Sequence, residues 1–76
     1  MSSSEKPTNK DTGVVFGQRV RAARLSKNWS QEQLAEKSEV HPNFIGYIER
    51  GQMNISLTNM EQIANALGVK VSGLLP

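Results

Sequence analysis

Asn43, Gly46, Tyr47 and Arg50 stand three, one and three residues apart. On a helix turning about 100° per residue they share one side, while Phe44, Ile45 and Ile48 fall on the other. An amide, a phenol and a guanidinium grouped around a glycine suit recognition at close range by hydrogen bonds and charge. An ordinary wet helix face more often carries Glu, Lys and Gln. The DNA major groove admits one helix, Asn can pair bidentately with adenine, and Tyr or His can bond a base edge or pack on a thymine methyl. A solvated surface whose glycine costs about 1 kcal/mol of helix propensity fits the same residues. Periodicity separates inside from outside without naming the outside partner.

Other chemistries lack their residues. There is no cysteine, so thiolate nucleophiles, disulfides and most zinc sites are excluded. The single histidine, His41, and the single aspartate, Asp11, assemble neither paired acids nor a nucleophile with its base. No enzyme, cofactor, metal site or small-molecule ligand is expected.

The elements that must position these residues are few. A chain of 76 residues buries only about 60% of its extended surface, and below roughly 70–80 residues a lone core is marginal. Self-association is the stabilising device to expect. Nine Lys+Arg against seven Asp+Glu leave a net charge of +2, too small to identify a polyanionic partner. Its distribution says more: Arg19, Arg21, Arg24 and Lys27 come without an acid between them, and Glu32, Glu36 and Glu39 follow. The longest apolar run, Val14-Val15-Phe16, is far short of a membrane helix, and no signal-peptide pattern opens the chain. A soluble cytoplasmic protein with no membrane partner is expected.

Residues 1–12 read as a flexible polar tail, and 13–76 as one all-α domain. Phe16, Val20 and Ala23 mark a first helix from about Thr12 or Gly13 to Lys27, stopped by a left-handed Asn28. Ser30-Gln31-Glu32-Gln33 has the form of a capping box, so a second helix runs from Gln31 to Ser38. After a tight connection, His41 caps and Pro42 opens a third, ending at Arg50 before Gly51. Ser56 caps a fourth, in which Leu57, Met60, Ile63, Ala64 and Leu67 repeat at helical spacing before Gly68. Trp29, Phe44, Met53 and Met60 read as packing residues. One more turn from Ser72 would leave Leu74 and Leu75 exposed near the end.

Several of these spacings occur together in one known pattern. Gly17-x-x-Val20-x-x-x-Arg24, Trp29-Ser30-Gln31-x-x-Leu34-Ala35 and Val40-x-x-x-x-Ile45-x-x-Ile48-Glu49-Arg50-Gly51 are followed by Leu57-x-x-Met60-x-x-Ile63-Ala64-x-Ala66-Leu67-Gly68. Residues 16–75 thereby resemble the Cro/cI-type (Xre) helix-turn-helix regulators. The stretches around His41–Ile45 and Asn54–Leu57 are similar to short stand-alone regulators such as restriction–modification controller proteins. The resemblance implies a five-helix lambda-repressor-like bundle, its third helix in the major groove and two subunits spanning half-sites about 34 Å apart.

Position by position, it implies base-facing roles for His41, Asn43, Gly46 and Tyr47. Phosphate contacts are implied for Gln31, Arg50, Gln52 and Asn54, and Arg21 is a further basic candidate. Arg24 and Glu49 would form a structural ion pair. Val71, Leu74 and Leu75 are the candidates for a homodimer interface. The implied function is sequence-specific, homodimeric regulation on a two-fold operator in double-stranded DNA. It would repress where the operator covers a promoter, and activate, with RNA polymerase as partner, where it lies just upstream. A DNA-binding antitoxin or a protein-bridging module is the alternative. Two features depart from the pattern. Pro42 replaces a base-reading polar residue, and Ser38-Glu39 replaces the small residue and glycine of the turn, which implies a non-glycine residue held in a strained or altered turn.

Overall fold

The computed structural model describes residues 8–52 and 55–76. Four α-helices, α1 (Thr8–Ser26), α2 (Gln31–Ser38), α3 (Pro42–Glu49) and α4 (Leu57–Leu67), are followed by one 3₁₀ turn, Val71–Leu74. The described residues contain no strand. The expected fifth helix is this single turn: four residues that include Gly73 cannot offset the cost of nucleating a separate α-helix. The first helix also starts earlier than expected, at Thr8 instead of about Gly13. Once the docked turns beyond Val14 are formed, each preceding residue adds a backbone hydrogen bond at little cost, and residues 8–12 contain neither glycine nor proline to prevent it. Residues 8–12 of the expected tail are therefore helical, and residues 1–7 lie outside the described residues.

Every α-helix stops in the same way. Asn28, Glu39, Gly51 and Gly68 adopt φ of 60°, 62°, 72° and 74°. In each case the next amide reaches back to a carbonyl five residues earlier: Trp29 to Arg24 at 3.2 Å, and Val40 to Ala35, Gln52 to Tyr47 and Val69 to Ala64 at 3.0 Å. This closure satisfies carbonyls the helix itself leaves open. Three of the stops use the residues that tolerate a left-handed backbone best. Glu39 is the exception, so the expected non-glycine turn between α2 and α3 is present.

The helix starts are equally local. Ser30 Oγ accepts from the Gln33 amide at 3.0 Å while Gln33 Oε1 accepts from the Ser30 amide at 2.7 Å, completing the capping box. Ser56 Oγ accepts from the Asn59 amide at 3.2 Å.

Phe16 and Val20 of α1, Leu34 of α2, Ile45 of α3, and Ile63 and Leu67 of α4 form the centre of the core. Trp29, Phe44 and Met60 pack around it, as read from the sequence. Met53 lies outside the described residues. α3 is held from both sides, by α1 and by α2. Against α1 the approach is backbone to backbone: a β-carbon on Gly17 would run into the Ile48 carbonyl oxygen. Only glycine fits there.

Two leucines depart from expectation. Leu57, read as part of the apolar face of α4, is 62% exposed, because it is the first helical residue and precedes the turn that docks. Leu74, expected to be exposed, is 3% exposed and belongs to the core. The 3₁₀ turn lays it against α1 and α4, and Arg19 Nη1 on α1 fixes the turn by donating to the Leu75 carbonyl at 2.5 Å.

Candidate nucleic-acid interface

α3 begins at His41, whose backbone is extended and whose Nδ1 accepts from the Asn43 amide at 3.0 Å. The ring is therefore the helix cap, and Nε2–H is the donor left to face outward. Pro42 at the first helical position loses nothing by lacking an amide hydrogen. The next residues divide as their spacing demands. Ile45, Ile48 and Glu49 are buried, whereas Asn43 and Tyr47 face out, Tyr47 at 44% exposure.

Gly46 lies between these outward residues and is itself buried. An added β-carbon would be 3.3 Å from Arg50 Nη1 and 3.5 Å from Gln31 Oε1, so two side chains lean over the space the glycine vacates. Gln31, Pro42, Asn43, Gly46, Tyr47 and Arg50 together line a shallow concavity of about 210 Å³. Its lining is mostly polar.

The concavity is braced from behind by a buried polar network. Arg24 donates through Nε to Glu49 Oε2 at 2.7 Å and through Nη2 to Glu49 Oε1 at 2.9 Å, with Nη1 on the Trp29 carbonyl at 2.8 Å. This is the expected structural ion pair, and it links α1, the segment entering α2, and the last residue of α3. Hydrogen bonding to Glu49 holds the Arg24 guanidinium above its ordinary pKa, outweighing burial, which acts the other way. Gln31 Nε2 adds a bond to Glu49 Oε1 at 3.1 Å. The carboxylate can only accept, so the amide nitrogen must face it and the carbonyl oxygen must face the concavity. This link was not visible in the sequence, where Gln31 and Glu49 stand 18 residues apart.

The remaining expected residues are distributed unevenly. Arg50 follows the last residue of α3 as its cap. It lies 5.1 Å from the Tyr47 ring centroid and donates from Nε to Gln52 Oε1 at 3.0 Å. Gln52 thus adjoins the concavity through Arg50. Arg21 is exposed on α1 and does not line it. Asn54 lies outside the described residues. Val71 and Leu75 are half-buried at the chain end, and Leu74 faces its own core, so it is not available to a second subunit. Among the described residues no three His, Cys, Asp or Glu side chains gather as a metal site, and no helix is long and apolar enough to cross a membrane.

Bundle, turn and outward stripe together define a helix-turn-helix protein, and the chain belongs to that family: the sequence model of the helix-turn-helix family HTH_3 matches residues 20–74. The chain is 52% identical over 63 residues to the control protein C.BamHI of Bacillus amyloliquefaciens, covering 82% of this chain and 78% of that one. Its structure is similar to that of the restriction–modification controller protein C.AhdI from Aeromonas hydrophila, with a TM-score of 0.80, 43% identity, and coverage of 83% of this chain and 96% of the other. It is also similar to SinR, the master regulator for biofilm formation, solved in complex with DNA. There the TM-score is 0.73 at 37% identity, over 78% of this chain and 95% of that one. The protein is a DNA-binding helix-turn-helix transcriptional regulator.

Proposed function

We propose that the chain acts as a homodimer on a two-fold operator in double-stranded DNA, each subunit laying the α3 face in the major groove. The observation that carries this reading is the concavity itself: Asn43, Tyr47 and Arg50 offer donors and acceptors outward, at a place where Gly46 permits close approach. None of the three is needed by the core. Asn43 pairs with a base edge, and Tyr47 and His41 Nε2 bond or pack beside it. Gln31, at the start of α2, contributes the first-turn amides of that helix to a backbone phosphate, with Gln52, Asn54 and Arg21 as further phosphate contacts. These position the duplex while α3 reads it.

Val71 and Leu75 contribute to the dimer contact, and Val69, two residues before Val71, is an exposed apolar residue nearby in the chain. A single subunit would read one half-site weakly, so pairing supplies both affinity and symmetry. Regulation follows by occupancy in the cytoplasm: repression where the site covers a promoter, activation through RNA polymerase where it stands just upstream. No small-molecule effector enters this scheme.

The class is tested by titrating the protein on promoter DNA at increasing salt. If about six phosphates are engaged, affinity falls by about three orders of magnitude between roughly 50 and 200 mM salt. Affinity that barely changes over that range, or mixed-sequence DNA that competes equally well, would refute sequence-specific binding.

A further inference from the structure

Arg50 is placed differently from the phosphate contact its position implied. Its guanidinium does not extend beyond the end of α3 but folds back along the outward face of that helix. Three neighbours fix it there. Nη1 and Nη2 lie 3.3 and 3.9 Å from where a β-carbon of Gly46 would stand, so the group rests over the space the glycine leaves. The Tyr47 ring lies 5.1 Å from it, within cation–π range. Gln52 Oε1 takes up Nε at 3.0 Å.

The chemistry of what remains is specific. With Nε engaged, the two Nη groups are left as a parallel pair of donors at the edge of the concavity. The nearest buried carboxylate does not compete for them, because both oxygens of Glu49 are held by Arg24 and one also by Gln31. Guanine presents two acceptors side by side on its major-groove edge, O6 and N7, and an arginine fork is their usual partner. A phosphate also accepts two such bonds. It runs along the groove wall, however, whereas Arg50 lines the same floor as Asn43 and Tyr47.

We infer that Arg50 is a specificity-determining residue that reads a guanine, with Gly46, Tyr47 and Gln52 as the residues that aim it. The guanidinium lies over Gly46, which is three residues from Asn43, about 4.5 Å along the helix, or little more than one base step of about 3.4 Å. The guanine therefore lies roughly one or two base pairs from the base that Asn43 contacts. The inference rests on the DNA-binding reading given above.

The test selects bound duplexes from a random-sequence DNA pool, once with the unmodified chain and once with Arg50→Ala, which removes the fork. The unmodified chain is expected to enrich a motif containing a guanine in each half-site. The variant should enrich the same motif with that one position relaxed, and should bind the original duplex about tenfold to a hundredfold more weakly. Replacing that guanine with 7-deazaguanine, which lacks the N7 acceptor, should weaken the unmodified chain severalfold and leave the variant unchanged.

An Arg50→Ala variant with undiminished preference at every position, weakened equally on all duplexes, would overturn the guanine assignment and leave DNA reading by α3 intact. If the unmodified chain enriches no sequence at all, the DNA-binding proposal itself fails and this inference with it.

Discussion

At the scale of single residues, the energetics concentrate where polar groups are buried or backbones touch. Arg24 is 8% and Glu49 9% exposed. Removing one member of such a pair leaves the other charge unpaired, which typically costs about 3–5 kcal/mol. Arg24→Ala should therefore lower both stability, read by urea unfolding, and affinity for DNA, because Glu49 also holds Gln31. Lost affinity at an unchanged melting temperature would mean that Arg24 serves DNA directly. Since the folded-state pKa of Arg24 is raised, the stabilisation it reports is fully present below the ordinary arginine range and declines only in strong alkali. Gly17 gives the opposite sign from its propensity. Ala would ordinarily favour an α-helix by about 1 kcal/mol over Gly, but its β-carbon would strike the Ile48 carbonyl oxygen. Gly17→Ala is expected to destabilise by about 1–3 kcal/mol, and denaturant midpoints of the two proteins decide the sign.

At the scale of elements, what could be read from the sequence was what is decided within a few residues. The Ser30–Gln33 box, the cap at His41, and the stops at Asn28, Gly51 and Gly68 each depend on neighbours no more than five positions away. The outward stripe of α3 was legible for the same reason, since helical spacing alone puts Asn43 and Tyr47 opposite Ile45 and Ile48. What was hidden depends on pairings across the chain. The burial of Leu74 follows from docking a turn that Arg19 grips from 56 residues away, and the Gln31 tether needs α2 and α3 already in place. Glu39 lies between these cases, a local stop made by a residue ill-suited to it. Its left-handed backbone costs about 1–2 kcal/mol relative to glycine, partly offset by the greater freedom of an unfolded glycine. Glu39→Gly should raise stability by a few tenths to about 1 kcal/mol, measured as a higher denaturant midpoint with an unchanged slope.

At the scale of the whole molecule, the 3₁₀ turn separates two roles that the sequence had merged. Leu74 completes the subunit, so Leu74→Ala should cost about 2–5 kcal/mol at any protein concentration. Leu75, half-buried beside it, belongs to the proposed contact between subunits. Leu75→Ser should shift sedimentation toward the monomer while changing the melting of the dilute protein little; a variant that stays fully paired would place the dimer contact elsewhere. A division of the same kind runs through α3. The Asn43 and Tyr47 side chains proposed to meet DNA rest on a frame of Gly17, Arg24, Ile45 and Glu49, which is braced by Gln31 and His41 and not by them. Exchanges at Asn43 and Tyr47 can thus redirect the protein to new operators without eroding the small margin that keeps so short a chain folded, which makes this scaffold amenable to retargeting by evolution or by design.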